Sequence, residues 1–378
     1  MGLGIYIHIP FCRKKCYYCD FPSFAGYETL MEPYGTALSM EIEEKSLLLE
    51  QLGPADTVYI GGGTPTALPL GVLARLIGKL RRTVPIKSDA EITIEANPGT
   101  VDEEYLHALL ECGVNRLSMG VQSFNDTILR AIGRIHTAEQ AVRAVEMAKS
   151  AGFKNLSLDL MYGLPGQGLE DLKTSVETAM ELAPQHISIY GLQVEDGTLF
   201  ARQQEKGELR LPVDDIVEAM YDYMTEYLPD RGYVRYEISN FALPGYESRH
   251  NMGYWTDVPY LGMGAAAHSY MGDSRWNNVS SVEKYIKSVE TGLPYRENEE
   301  LLDRETEMEE FCFLALRMSA GIDKRAFQRK FDCPIGSVYN EAIEKMKARK
   351  LLEETEDHIR LTSLGMKFGN VVFREFVF

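Results

Sequence analysis

Apolar residues along the first half of the chain fall into two alternating regimes. Short runs with β-branched or aromatic character recur at Gly4–Ile9 (GIYIHI), Thr57–Ile60, Glu91–Glu95, Arg116–Gly120, Leu156–Met161 and His186–Tyr190. Their length and composition predict buried strands. Between them, Tyr34–Gln51, Leu70–Thr83, Asp102–Cys112, Thr137–Ala151 and Leu169–Leu182 space their apolar residues three and four apart. That spacing predicts amphipathic helices. Strand–helix alternation implies a parallel sheet.

A doubly wound sheet and a barrel both satisfy this alternation. The residues that end the strands separate them. The runs close on His8 and a cysteine loop, Gly61-Gly62-Gly63-Thr64-Pro65, Glu95-Ala96-Asn97-Pro98, Gly120-Val121-Gln122-Ser123, Asp159 through Gly166, and Gly191-Leu192-Gln193. Six polar or glycine-rich ends pointing one way predict a partial (β/α)6 barrel with its site at the strand C-termini. The expected domains are a core at 1–230, a sheet and loop extension closing the site at 231–300, and a C-terminal domain at 301–378. The middle segment is rich in Tyr, Gly and Asn and has no clear period. The last segment predicts helices at 305–318, 324–331 and 335–349, then a hairpin at 351–361, a winged-helix-like order.

Lys and Arg number 39 against 56 Asp and Glu, a formal net charge of −17. Groove and phosphate binding need a basic face, so nucleic acid is not an expected partner, even for the winged-helix-like segment. No run of 18 apolar residues predicts a membrane span, and the N-terminal apolar stretch reaches Cys12 too soon for a signal peptide. A cytoplasmic chain with reduced thiols is the expectation. Cys112, Cys312 and Cys333 are scattered and read as small buried hydrophobes.

The other three cysteines crowd into Cys12-Arg13-Lys14-Lys15-Cys16-Tyr17-Tyr18-Cys19. Thiolates suit zinc and iron–sulfur clusters. Structural zinc normally takes four Cys or His ligands, and His8 is the one nearby candidate for the fourth. Three thiolates on a four-iron cluster leave one iron open, and reactive metal sites need an open position.

This loop resembles the signature of the radical SAM superfamily. Tyr6-Ile7-His8-Ile9-Pro10-Phe11-Cys12 and Tyr59-Ile60-Gly61-Gly62-Gly63-Thr64-Pro65 are similar to the branch that holds oxygen-independent coproporphyrinogen III oxidase and the radical SAM heme chaperones, over essentially the whole chain. The resemblance implies a radical SAM core at 1–230 and a 4Fe–4S cluster on Cys12, Cys16 and Cys19, with S-adenosylmethionine on the open iron. It implies cofactor contacts from Gly62, Gly63 and Thr64 at the amino end, from Glu95 and Gln122 to polar groups, from Arg134 to the carboxylate, and from Asp159 to the ribose. Tyr6 and Tyr18 match further contact positions beside the cluster.

Two departures separate the branches. The oxidase has a further Cys two residues beyond the third ligand, where this chain has Phe21. Its long N-terminal arm is expected to be missing, because this chain reaches Tyr6 almost at once. The chaperones carry an H-N-x-x-Y-W motif, matched by His250-Asn251-Met252-Gly253-Tyr254-Trp255. Imidazole is a common heme ligand, which makes His250 the first candidate and His268 the second. The expected function is therefore heme binding and delivery to acceptor proteins, with an electron donor as further partner and S-adenosylmethionine cleavage left open. The alternatives are coproporphyrinogen decarboxylation and a zinc-stabilised binding module.

Overall fold

The computed structural model describes residues 2–377. Its core is six parallel strands: β1 (Gly4–Ile9), β2 (Ala55–Gly62), β3 (Ile86–Ala96), β4 (Arg116–Gln122), β5 (Leu156–Tyr162) and β6 (His186–Gly191). They lie side by side in chain order. Right-handed crossovers then place every connecting helix on one face. The sheet curls as in a barrel but does not close. Beyond β6 it continues into β7 (Val234–Arg235) and β8 (Asn240–Ala242). Beyond β1 it continues into β9 (Tyr260–Met263), β10 (His268–Met271), β11 (Ser274–Asn278) and β12 (Arg296–Leu301).

Side chains alternate across each strand, and here the two faces differ in chemistry. Ile5, Ile7, Ile9, Val58, Ile60, Ile94, Leu117, Leu158 and Ile187 are buried beneath the helices. The opposite face carries Tyr6, His8, Tyr59, Glu95, Arg116, Ser118, Asp159 and Ser188. The parallel sheet therefore wraps a polar bowl, with its apolar face turned outward to the helices.

The helices expected at 70–83, 102–112, 137–151 and 169–182 form within a residue of those limits. The helix expected at 34–51 is split at Lys45 into Met31–Glu44 and Ser46–Leu52. β3 starts five residues before its apolar run, because Lys87, Ser88 and Asp89 are exposed and carry no hydrophobic signal. The period was unreadable in 231–300 because its strands are two to six residues long.

Glu41, fully buried on the helix Met31–Glu44, ties that extension down. Its carboxylate accepts from Gly264 N at 2.8 Å, Asn278 Nδ2 at 2.9 Å and Tyr285 Oη at 2.5 Å. Residues 308–376 build a second hydrophobic core from the helices Arg304–Ala315, Lys324–Phe331 and Gly336–Ala348 and a small three-stranded sheet. No helix among the described residues is long and apolar enough to cross a membrane.

Candidate functional site

The cysteine loop leaves the C-terminal end of β1 and is clamped to its neighbours by backbone bonds. Cys12 N donates to Phe24 O at 2.9 Å, Gly63 N to Ile9 O at 2.9 Å, and Thr64 N to Phe11 O at 2.8 Å. A polar chain then joins two of the thiols. Cys12 Sγ lies 3.5 Å from Thr64 Oγ1, which accepts from Asn97 Nδ2 at 2.8 Å. Asn97 Oδ1 accepts from Arg134 Nη2 at 2.5 Å, and Arg134 Nη1 reaches Cys16 Sγ at 3.5 Å. Arg134 also donates to Gly120 O, while its buried Nε has no partner among the described residues. Burial pushes the Cys12 and Cys19 thiols up. Tyr18 lies against Cys16 and packs with Ile128, Met161, Leu164 and Phe200, an apolar wall beside the loop.

The glycine run answers first to this packing. A Cβ on Gly63 would sit 2.8 Å from Phe11 O and 3.0 Å from Cys12 Sγ. Gly62 has φ +113°, and a Cβ there would meet the His8 ring at 2.6 Å. Glycine is thus required by the protein itself at both positions, before any ligand is considered.

Glu95 sits at the end of β3, half-buried. It accepts from Tyr59 Oη at 2.8 Å and from Gly62 N at 3.1 Å. Burial raises its carboxyl to about 7, with the nearby Asp159 charge adding to the rise. Asp159 accepts from Ser118 Oγ at 3.1 and 3.2 Å and from Ser157 Oγ at 3.4 Å, and burial raises it too. Gln122 follows a bulge in β4 and has φ +69°. That conformation costs a non-glycine residue about 1 kcal/mol or more and tends to persist at functional sites. Its amide makes no hydrogen bond among the described residues. Tyr6 lies in the bowl wall with its hydroxyl 3.0 Å from His8 Nδ1. His8 Nε2 meets Pro22 O at 2.9 Å, so both His8 nitrogens are engaged and it is not a free fourth metal ligand.

Cys12, Cys16, Cys19, Tyr18, Gly62, Gly63, Thr64, Glu95, Gln122, Arg134 and Asp159 therefore lie toward one end of the bowl, whereas Tyr6 sits lower on β1, its ring 6.5 Å from that of His250. Sequence reasoning missed the residues that hold them there. Asn97 bridges Thr64 and Arg134; Tyr59 bonds Glu95; Ser118 and Ser157 bond Asp159. The two-residue alternation that set the polar face of the strands could have found the last three. Asn97 sits in a loop, where no period points to it. Arg116, buried to 1% and with its Nε unpartnered among the described residues, lies at the floor of the same face.

His250 departs from expectation. It sits at the N-terminal ends of the strands, on the helix Arg249–Trp255. At about 3.3 Å per residue, β1 and the start of the loop separate it from the cysteines by on the order of 20 Å. Its Nδ1 is 2.7 Å from Thr57 Oγ1 and its Nε2 2.9 Å from Tyr254 Oη. The backbone amides of Arg249 and His250 both donate to Glu91 at 3.1 Å. Burial lowers the imidazole to about 3, so it is neutral, with neither nitrogen open to a metal in this conformation. The ring does stack on Tyr59, 5.1 Å away at 23°, and Tyr59 bonds Glu95. His268 is exposed on β10.

Comparisons with known proteins agree with this geometry. The model of the Radical SAM superfamily matches residues 6–179, and that of the HemN C-terminal domain matches residues 302–368. Heme chaperone HemW of Lactococcus lactis is 41% identical over 372 residues, spanning 98% of this chain and 96% of the relative. Its counterpart in Bacillus subtilis is 40% identical over 376 residues, 98% of each. The solved structure of coproporphyrinogen III oxidase (HemN) from Escherichia coli, a radical SAM enzyme, superposes with a TM-score of 0.87 at 26% identity, covering 99% of this chain and 90% of that one. With near-complete coverage by relatives at about 40% identity, the chain belongs to the radical SAM superfamily, in the HemW family.

Proposed function

We propose that this chain is a heme chaperone. In this reading it holds a 4Fe–4S cluster on Cys12, Cys16 and Cys19, binds S-adenosylmethionine beside it, and carries heme in the cytoplasm to acceptor proteins. The observation that carries the reading is the polar chain from Cys12 through Thr64, Asn97 and Arg134 to Cys16. It supports an anionic sulfur-ligated group: the donors are soft, both His8 nitrogens are engaged, and the buried Arg134 Nε is left to find a partner. Gly62, Gly63, Thr64, Glu95 and Gln122 would receive the amino-acid end of the cofactor and Arg134 its carboxylate, the forked pairing guanidinium favours. Asp159 would accept from the ribose hydroxyls, and Tyr6 and Tyr18 would wall the site. When bound, the reduced iron–sulfur group supplies an electron to the sulfonium ligand; an electron donor is then a required partner.

The protein's own contribution is to orient and to dry the site. Arg134 fixes Cys16 against Gly120, and Glu95 is held in place by the Tyr59 hydroxyl. The cargo reading is supported by the names of the relatives and by the H-N-x-x-Y-W motif. For His250 to ligate heme it must first give up its bonds to Thr57 and Tyr254.

The test is hemin titration of the anaerobically reconstituted chain, then transfer to a heme-free acceptor. Binding and delivery without formation of protoporphyrinogen from coproporphyrinogen III is the expected result. Robust turnover of coproporphyrinogen III would replace this reading with the oxidase. Zinc without iron or sulfide would replace it with a zinc-stabilised module.

A further inference from the structure

The chain carries a formal charge of −17, yet the turn inside the cysteine loop is Arg13-Lys14-Lys15. All three are exposed. None forms an ion pair among the described residues: Arg13 Nη1 donates to Gly99 O at 2.7 Å, Lys15 Nζ donates to Phe21 O at 2.9 Å, and Lys14 Nζ stands 5.3 Å over the Tyr17 ring. These neutral contacts anchor the side chains without neutralising them. Arg130, also exposed, bonds Thr127 alone and lies one turn from the segment that packs on Tyr17. Two large apolar side chains lie within or beside this cationic region, Phe21 at 60% exposure and Ile135 at 51%. Charged groups around exposed apolar ones are the make-up of a docking surface.

We propose that this face receives an acidic one-electron donor protein, which docks on Arg13, Lys14, Lys15 and Arg130 with Phe21 and Ile135 at the centre. The inference rests on the iron–sulfur reading above. In the step it serves, the donor loses one electron and the iron–sulfur group held by the three thiols gains one. Charge complementarity selects the occupant. A cationic patch on a strongly anionic molecule attracts an acidic protein and orients it, raising encounter rates by about tenfold to a thousandfold at low salt. A dianionic porphyrin fits less well, because such ligands are taken into concave, mostly apolar pockets and these side chains stand on an exposed loop.

The experiment uses the full chain and a reduced acidic flavodoxin as probe. Binding is followed by fluorescence anisotropy of the labelled flavodoxin. Cluster reduction is followed by bleaching in anaerobic stopped flow. Both are run across a salt series, for wild type, for Lys14→Gln and for the triple variant R13E/K14E/K15E. We expect binding and reduction to weaken at least tenfold between low salt and about 0.3 M, where screening is strong. In the triple variant both fall at least tenfold at low salt and the salt dependence flattens or reverses. Lys14→Gln, which conserves more of the loop, takes an intermediate place. Reduction by the small methyl viologen radical cation is not slowed in either variant.

Equal flavodoxin affinity and salt slope in wild type and variants would overturn the proposal. So would equal slowing with methyl viologen, which would assign the loop to cluster integrity. Loss of heme affinity with flavodoxin binding intact would make it a porphyrin site. A wild-type chain that binds flavodoxin but assembles no iron–sulfur group would instead sink the reading on which this one rests.

Discussion

Glu95→Gln separates what the site does for the cofactor from what it does to the fold. Folding carries this carboxyl from an ordinary value of 4.5 to about 7, chiefly through burial. A raised folded-state value means that the group's contribution to stability is fully present below the unfolded value and is lost as pH rises through the folded one. At about 1.36 kcal/mol per tenfold change in proton affinity, the ligand-free chain loses about 3 kcal/mol by ionising Glu95 in place. Most of that loss falls between about pH 5 and about pH 8.5. Glutamine can keep a hydrogen bond to Tyr59 and cannot ionise. Denaturant unfolding of the ligand-free wild type and variant at both ends of that range gives the difference directly, and other titrating groups cancel because both proteins share them. The variant should gain roughly 2–3 kcal/mol on wild type across the range, and at alkaline pH it should bind S-adenosylmethionine more weakly. A stability difference that does not change with pH would refute the reasoning.

Arg134→Ala, which also removes the contact to Cys16, should weaken S-adenosylmethionine binding about tenfold to a hundredfold, the loss of a charge-assisted pair worth about 1.5–3 kcal/mol; calorimetric titration of the reconstituted chain measures it. Gly63→Ala should lower the iron retained per chain, because its Cβ cannot coexist with Phe11 O and Cys12 Sγ at their present positions; iron and sulfide assays check this. Tyr254→Phe frees His250 Nε2, so it should tighten hemin binding if His250 is the ligand, and His250→Ala should abolish the same spectral change. Identical hemin spectra and affinities in wild type and both variants would remove His250 from that role. Whatever the cargo result, His250→Ala should cost about 2 kcal/mol in unfolding experiments, because it leaves buried hydroxyls on Thr57 and Tyr254 without their partner.

Much of the architecture was legible because it rests on period. Ile5, Ile7 and Ile9 alternate with Tyr6 and His8, and that alternation gives both the strand and its two faces. The helix at Leu70–Thr83 and the C-terminal order of helices and hairpin follow from spacing alone. The candidate site was legible where it lies in a motif, as with the three cysteines and the glycine run. Asn97 was legible only as part of a polar strand end; its bridging role shows once Thr64 and Arg134 are seen on either side. The cause of the glycines was not legible: sequence reasoning assigned Gly62 and Gly63 to ligand approach, whereas His8 and the cysteine loop already exclude a side chain there. His250 shows the limit from the other direction. The motif is plain, but its position depends on a helix arriving under β1, β2 and β3 from more than a hundred residues away, and no local pattern specifies that end of the bowl.

The reading turns on three thiols presenting an iron–sulfur group to a ligand held by the strand ends. Electron paramagnetic resonance of the reconstituted, reduced chain, recorded with and without S-adenosylmethionine, tests it most directly. The account predicts the signal of a reduced cluster with about four iron per chain, altered by S-adenosylmethionine in wild type and lost when Cys12, Cys16 and Cys19 are replaced by alanine. A chain with no such signal, or one indifferent both to the ligand and to loss of the thiols, would contradict it.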